Sequence, residues 1–529
     1  MNTPQKNRKL FWQPVIYSLL LTIGLLTGFF IAPVEKSRFY QILDIVKADY
    51  VDEPNPRELE EDAITGMLSQ LDPHSSFVPA DLVEYAQRQI SGNYQGIGIE
   101  FILFQDTPVV ISVTPHGPAF SSGIKRGDRI IEVDKTLTTQ KELTRNDVIS
   151  LISGQSGSTC VLKIYRPHNQ RTLTTQVFRA QVPVRSIEVY YMIDRSTGYL
   201  QIRSFSARTH ADFMIAVNKL KEAGMKNLVI DLRNNGGGLL RESIKLSNEF
   251  LKKNQMIAFT RGRKRRPETY RADGKGKLSN MPTLVLVNNR TASASEIFAG
   301  ALQDNDRALI SGSRTFGKGL VQEPYRLPDG SSLRLTVARY YTPSGRSIQK
   351  PYTRNIQEYR QEIFRRGQDT TQKNTLFYTL SGREVAAGGG ISPDFQMTDT
   401  LSQTQKFEKH LPGLLHSRLI DMFLIDHMRD ELFAINRNYP KYTSFAKHYK
   451  VSNATLNKLK QYLNKHYDVT TLTYDTEAMN LLRKFIKSEL AKYCYSPSGF
   501  SYTRNWEDGL FPKIQLAFLA YSKILPQTK

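Results

Sequence analysis

From Leu10 to Val34 the chain carries no charged residue, and the run "VIYSLLLTIGLLTGFFIA" is long enough to span a bilayer. Beyond it the pattern becomes periodic. Over 36–90 apolar positions recur at helical spacing in "FYQILDIVKADYV" and "ELEEDAITGMLSQL", ending in a turn at "DPHSSF". Residues 91–168 change to short β-type runs broken by glycines, with one helical stretch at "RNDVISLI". From 182 to 398 strand and helix patterns alternate: "TGYLQIRSF", "ADFMIAVNKLKEAG", "NLVIDLR", "LLRESIKLSNEFL", "TLVLVNN" and "ASEIFAGALQD". That rhythm predicts a sheet covered by helices. After 399 the spacing is helical again, in "LLHSRLIDMFLIDHMRDELFAI" and "TEAMNLLRKFIKSELAKY". The expectation is a multidomain α/β chain. It has a stub and transmembrane anchor over 1–35, a helical region over 36–90 and a small β-rich domain over 91–168. A βα core over 182–398 and a helical region over 399–529 complete it.

A chain of 529 residues exceeds one ordinary core, which agrees with several domains. Its two cysteines, Cys160 and Cys494, form neither a disulfide framework nor a metal-binding spacing. No metal site is expected. The formal net charge of +22 raises nucleic acid as a partner, but the basic residues are dispersed, and the one dense run, "RGRKRR" at 261–266, reads as a solvated loop. A basic surface facing anionic lipid is the better use of that charge, and no nucleic-acid partner is expected. Lys6, Arg8 and Lys9 ahead of the apolar run orient the N-terminus to the cytoplasm and export the rest. A cleavable signal would need small residues at the cut, whereas Phe30 and Pro33 flank Ala32, so a retained anchor is expected.

The chemistry centres on "NNRTASASEIFAG", residues 288–300, where an apolar strand pattern turns into a helix. "SASE", Ser293 to Glu296, is a capping box, so Ser293 reads locally as a cap. A serine nucleophile needs a base. The nine histidines lie at 74, 116, 168, 210, 410, 416, 427, 448 and 466, none of them between 211 and 409. No GxSxG elbow surrounds Ser293 either. Lysine is the other option if burial supplies a neutral amine. "RTFGKGLVQEPY" offers Lys318 between two glycines, with Phe316, Leu320 and Val321 as apolar neighbours and Gln322 four residues on to orient the amine. "DLRNNGGG", 231–238, directly after a strand, frees backbone amides of Gly237 and Gly238 toward an oxyanion, and the amide of Ala294 could be a second donor. A phosphate cradle is the rival for this loop, but neither GxxxxGK[ST] nor GxGxxG is present.

Two resemblances organise these pieces. "GNYQGIGIEF" followed by "PHGPAFSSGIKRGDRIIEVD" resembles a PDZ domain, which implies that the loop Gly96, Ile97, Gly98 and Ile99 grips a peptide's C-terminal carboxylate while the peptide adds a strand. With "YVD", "LDPHSSF", "DLRNNGGG", "NNRTASASEIFAGAL", "GSRTFGKGLVQ" and "GGGISPD", the span 36–395 resembles the carboxyl-terminal processing proteases, a Ser-Lys family of PDZ-containing peptidases. The resemblance implies a crotonase-like core without cofactors, Ser293 as nucleophile, Lys318 as general base and Gln322 as its orienter. The oxyanion donors would be Ala294 and either Gly237 or Gly238. Ser295 would point elsewhere, because positions i and i+2 do not share a helix face. Many relatives carry a proline before the last two glycines where this chain has "NNGGG".

The implied function is a membrane-anchored serine endopeptidase that cuts exported proteins near their C-termini. It would sit in the inner membrane as a single-pass protein with its catalytic part in the periplasm. The expected partners are protein substrates with free C-terminal tails, and an adaptor protein as a further one. The rivals are a non-catalytic PDZ adaptor and a small-ester hydrolase. Residues 399–529, with the four-residue steps of Leu419, Phe423 and His427 beside Leu424 and Met428, are expected to present a buried face for assembly, giving a homo-oligomer.

Overall fold

The structure is a computed structural model that describes residues 8–31, 38–83, 92–140, 143–352, 356–365, 375–397, 407, 411, 413–466 and 475–525. Lys6, Ala32, Pro33 and His410, as well as the 398/399 boundary, lie outside the described residues. The chain divides into two compact units, Met1–Gln70 and Leu71–Lys529.

The first unit holds the helices Arg8–Ile31, Arg38–Asp49 and Pro56–Ser69. The last begins as its sequence dictates: the Asn55 side chain accepts the Arg57 N–H at 3.1 Å, and Pro56 occupies the first turn, where no N–H is needed. Among the described residues no helix is long and apolar enough to cross a membrane. The expected spanning segment falls in the helix Arg8–Ile31.

In the second unit the glycine-rich segment folds as an antiparallel sheet in the order Ile99–Phe104, Thr107–Val113, Arg129–Val133, Thr159–Arg166, Arg171–Phe178. The helix Arg145–Ile152 closes its core and starts at a capping box between Thr144 and Asp147. Ile97, Phe101, Val110, Ile130, Val148 and Leu162 fill that core. The sheet runs on past the expected limit at 168. Arg171–Phe178 pairs along its length with Thr159–Arg166, and Ala180–Pro183 returns to pair with Asn93–Gly96.

The βα rhythm of 182–398 becomes a six-stranded sheet whose order in space is its order in sequence. Its strands are Val189–Met192, Thr197–Gln201, Asn227–Asp231, Thr283–Val287, Leu309–Gly312 and Phe395–Gln396. All pairs but the first are parallel. A parallel sheet needs both faces covered. One face takes the helices Thr209–Glu222, Leu240–Asn248 and Ala294–Asp304, packed through Phe213, Leu246, Phe250 and Phe298. A second sheet, built on Ser332–Tyr341, carries Ser76–Val78, Leu320–Arg326 and the hairpin Met256–Arg261/Glu268–Arg271. The basic run 261–266 turns at the tip of that hairpin.

The C-terminal helices cover the other face of the parallel sheet. Tyr502, Leu510, Phe511, Ile514 and Ala517 pack on Tyr191, Tyr199, Val229, Leu284 and Leu309. A second contact reaches the PDZ-like sheet, where Met422 joins Ile102, Val109 and Ile111, and Arg129 pairs with Asp426 at 3.4 Å. The face offered above for assembly is therefore spent inside the chain. Leu419, Phe423, Leu424 and Met428 are buried against Leu456, Leu459 and Ile486, which removes the reason for expecting a homo-oligomer. His427 is exposed, edge-on to Tyr462.

Candidate active site

The strand Thr283–Val287 is buried at every position and delivers the chain into the turn at Asn288–Ser293. Thr291 fixes that turn: its hydroxyl accepts the Asn288 N–H at 3.0 Å and donates to the Leu232 carbonyl at 2.8 Å. Ser293 then adopts φ 57°, ψ −120°, a backbone conformation that a residue with a Cβ rarely takes. The strain lifts Ser293 to a partly exposed position while its helix is buried throughout. Ser295 is fully buried, and its hydroxyl donates to the Asn235 carbonyl at 3.2 Å. The two serines differ as their spacing predicts.

Glu296 holds more than its own helix start. Its Oε2 accepts the Ser293 N–H at 2.9 Å and the Lys318 N–H at 2.8 Å. Two such bonds to one oxygen leave the two backbone nitrogens no more than 5.7 Å apart. Oε1 accepts the Gly317 N–H at 2.7 Å and the Thr315 hydroxyl at 2.5 Å. Burial pushes the Glu296 carboxyl up, while these four donors favour its charged form. A residue that reads locally as a cap thus joins the serine turn to the lysine turn, whose Lys318 lies 22 positions beyond Glu296 in sequence.

Lys318 is half-buried between Gly317 and Gly319. Burial pushes its amine below the ordinary lysine range, Arg334 adds to the effect, and Asp72 and Glu296 oppose it. Its Nζ donates to Gln322 Oε1 at 2.7 Å. The amide is aimed in turn, because Gln322 Nε2 donates to the His74 carbonyl at 2.6 Å. The "DPHSSF" turn is locked for this task. Asp72 accepts the N–H groups of His74 and Ser75 at 2.8 and 2.9 Å, and Thr336 donates to Asp72 at 3.1 Å from the neighbouring strand. Sequence reasoning placed this turn but missed Asp72, His74 and Thr336 as supports. It is the His74 carbonyl that acts on Gln322, so residue type gave no signal there.

The glycine loop meets the serine turn edge to edge. Ala292 N–H donates to the Asn235 carbonyl at 3.0 Å, and Asn234 and Asn288 exchange bonds at 2.9 and 3.0 Å. Gly237, at φ 98°, approaches so closely that a Cβ there would stand 2.8 Å from Ser293 Cβ and 2.9 Å from Ala294 N. Its own N–H donates to Asn235 Oδ1 at 2.9 Å. The amides of Gly238 and Ala294 have no hydrogen-bond partner among the described residues. Asn235, which receives the Gly237 and Ala292 amides, was not singled out from sequence.

In the PDZ-like fold, Gly98 turns at φ 80°, and the Ile97 and Gly98 carbonyls are taken by Ala119 and Thr114 N–H groups at 2.9 Å each. The amides of Ile97 and Gly98 have no partner among the described residues. Among the described residues Ile99–Phe104 forms a ladder on one side only, with Thr107–Val113, and its Phe101 shares a core with Val148 and Ile152 of the helix Arg145–Ile152. The arrangement offers amide donors at the head of an open strand edge.

Family models match two parts of the chain: a PDZ domain over residues 95–177 and peptidase family S41 over 196–358. A carboxy-terminal-processing protease of Bartonella bacilliformis is 38% identical over 320 residues, 59% of this chain and 72% of its own length. A carboxyl-terminal-processing protease of a Picosynechococcus species is 33% identical over 327 residues, covering 60% of this chain and 78% of the relative. A solved photosystem II D1 C-terminal processing protease aligns with 68% of this chain and 87% of its own at 29% identity, with a TM-score of 0.36. The chain belongs to the carboxy-terminal processing proteases, PDZ-bearing serine peptidases of family S41.

Proposed function

We propose that Ser293 is the nucleophile and Lys318 the general base of an endopeptidase that cuts protein substrates near their C-termini. The observation that carries this is the shared Glu296 carboxylate, which brings the two turns together beside a lysine whose amine burial pushes toward neutrality. The neutral Lys318 amine takes the Ser293 hydroxyl proton as Oγ attacks the scissile carbonyl. The amides of Ala294 and of Gly238 or Gly237 receive the oxyanion; the engaged Gly237 N–H favours Gly238. The lysine passes its proton to the leaving amine and later activates the water that releases the acyl group. Gln322, held by the His74 carbonyl, keeps the amine aimed.

The PDZ domain would hold the substrate's free carboxylate at the Ile97 and Gly98 amides and extend its sheet with the tail along Ile99–Phe104. The non-catalytic adaptor is disfavoured, since nothing in tail binding calls for a strained Ser293 or a desolvated Lys318. The core would be crotonase-like, with its sheet covered on both faces. The test is turnover of a peptide with a free apolar C-terminus. Ser293→Ala and Lys318→Ala should each abolish it, because nucleophile and base act as one unit, while Ser295→Ala should cost less than about tenfold. A dead Ser295→Ala beside an active Ser293→Ala would contradict the assignment.

Membrane attachment is proposed on the sequence: the uncharged run Leu10–Val34 follows three basic residues, and the described side chains of its helix, Leu19 to Leu21 among them, are exposed. The catalytic part would then lie in the periplasm. Resistance of the protein to alkaline carbonate extraction, and its digestion by protease added to spheroplasts, would follow. Release by carbonate would contradict the anchor.

A further inference from the structure

The loop Asp231–Gly238 is held in its middle by Asn234, which exchanges bonds with Asn288, and by Asn235, whose Nδ2 donates to the Ile202 carbonyl at 2.8 Å. Asn234, Gly237 and Gly238 sit at φ 63°, 98° and 141°. Gly236 and Gly238 are exposed, and neither offers a side chain to pack. What fixes the loop at its start is Arg233. Its N–H donates to Asp231 Oδ1 at 2.8 Å. Its guanidinium lies on the same carboxylate, with Nε 3.0 and 2.9 Å from the two oxygens and Nη2 2.6 Å from Oδ2. Backbone and side chain of one residue are thus tied to one anchor. The next residue, Asn234, donates its N–H to Asn288 Oδ1 at 2.9 Å, at the head of the Ser293 turn.

The guanidinium has a second acceptor, outside the protease core. Nη2 donates to Asn505 Oδ1 at 3.1 Å, from the helix Pro497–Glu507 of the C-terminal region. Asn505 is itself aimed: its Nδ2 donates to Tyr191 Oη at 2.8 Å. Tyr191 stacks on Tyr199 with ring centroids 4.7 Å apart, and the Tyr199 hydroxyl donates to Asp231 at 2.5 Å. Asn505, Tyr191, Tyr199 and Asp231 are buried, and the Arg233 side chain is only 15% exposed. An amide in an apolar interface is costly unless it is bonded at both ends, and this one is. Its two bonds face in opposite senses, an acceptor toward the cation and a donor toward the phenol, which selects one orientation. The planar fork is gripped by both oxygens of the Asp231 carboxylate, and Asn505 Oδ1 adds a third acceptor atom on Nη2.

We propose that Asn505 is a positioning residue for the reaction. Through Arg233, the C-terminal helical region sets the pose of the glycine loop that presents its amides to the oxyanion. This rests on the assignment of Ser293, Lys318 and that loop given above. It gives 399–529 a part in turnover rather than in assembly.

The test uses the full chain and a peptide substrate with a free C-terminus, with kcat, KM and thermal midpoint measured together. Asn505→Leu keeps the volume and loses both bonds, whereas Asn505→Asp restores an acceptor for Arg233. Asn505→Leu should lower kcat on the order of ten- to a hundredfold with KM within about twofold, since a small misplacement of transition-state donors costs rate rather than binding. Asn505→Asp should recover kcat to within about threefold of the parent. A folded Asn505→Leu with kcat within about twofold of the parent would overturn the proposal, as would a loss that Asn505→Asp does not restore. Should Asn505→Leu fail to fold, Tyr191→Phe decides alone, because it removes the acceptor that aims Asn505 with almost no change of shape. A kcat at least about threefold lower at unchanged KM upholds the proposal, and an unchanged kcat overturns it. Ser293→Ala is run alongside. If it turns over like the parent, the dyad assignment fails and this proposal falls with it; if it is dead while the Asn505 variants are fully active, only the Asn505 role fails.

Discussion

At the scale of residues, the proposed role of Lys318 as base makes its protonation the decisive quantity. Burial is the larger cause of its lowered pKa, and the Arg334 charge is the next. Turnover should therefore rise with pH, with a midpoint below the ordinary lysine value. Arg334→Gln should move that midpoint to higher pH by removing the like charge. A pH–rate profile measured on both proteins checks this, and an unmoved midpoint or a rise near pH 6.5, where histidine titrates, would contradict a lysine base. The same shift affects stability. The folded pKa lies below the unfolded one, so between the two the unfolded chain binds more protons and stability rises with pH. Lys318→Met should accordingly raise the thermal midpoint near neutral pH, by an amount that shrinks as pH climbs toward the ordinary lysine value of about 10.4.

Sequence was informative at this scale where chemistry and spacing coincide. Ser293, Ser295, Lys318 and Gln322 stand where their segments place them, with Ser295 turned inward and Gln322 on the amine. It was silent where backbone does the work. Nothing in the side-chain pattern foretells that Gly237 donates to Asn235, or that the His74 carbonyl aims Gln322. The reach of Glu296 to Gly317 and Lys318 is a tertiary fact, since a capping box is complete without it.

At the scale of elements, two turns and one glycine loop must meet at van der Waals distance. Gly237 is where tolerance ends: a Cβ would stand 2.7 Å from the Ala292 carbonyl oxygen, and the positive φ adds its own strain. Gly237→Ala should reduce kcat by at least about a hundredfold, the scale of losing an oxyanion donor, while the PDZ domain still binds tail peptides. Peptide binding by calorimetry beside turnover separates the two, and near-parental kcat would contradict the close approach. The strand and helix order of the core was legible because each buried strand, such as "TLVLV", is a continuous apolar run between turn signals. The strand Arg171–Phe178 was missed because its outward Thr172, Thr174 and Gln176 are polar and exposed, so pairing with Thr159–Arg166 defines it.

At the scale of the whole molecule, the region after 399 was legible as helices, but its destination was not. A helical pattern states that a face is buried and leaves open against what. Here the answer is the back of the parallel sheet and the outer face of the PDZ sheet. Deleting 411–529 would uncover Tyr191, Tyr199, Val229, Leu284 and Leu309 together. At roughly 1.5–3 kcal/mol for each large side chain, the loss is comparable with the whole stability of a domain, about 5–15 kcal/mol. The truncated protein should therefore unfold or aggregate rather than dissociate from a partner. A soluble truncation with an unchanged thermal midpoint and full turnover would contradict this packing.

The central claim is that Ser293 is made nucleophilic by Lys318. It is tested most directly by treating the full chain with a serine-reactive phosphonate and locating the adduct by peptide mass mapping. The expected result is one adduct, on Ser293, forming faster as pH rises above neutral and absent in Lys318→Ala. An adduct on Ser295, or labelling of Ser293 at the same rate in Lys318→Ala, would contradict it.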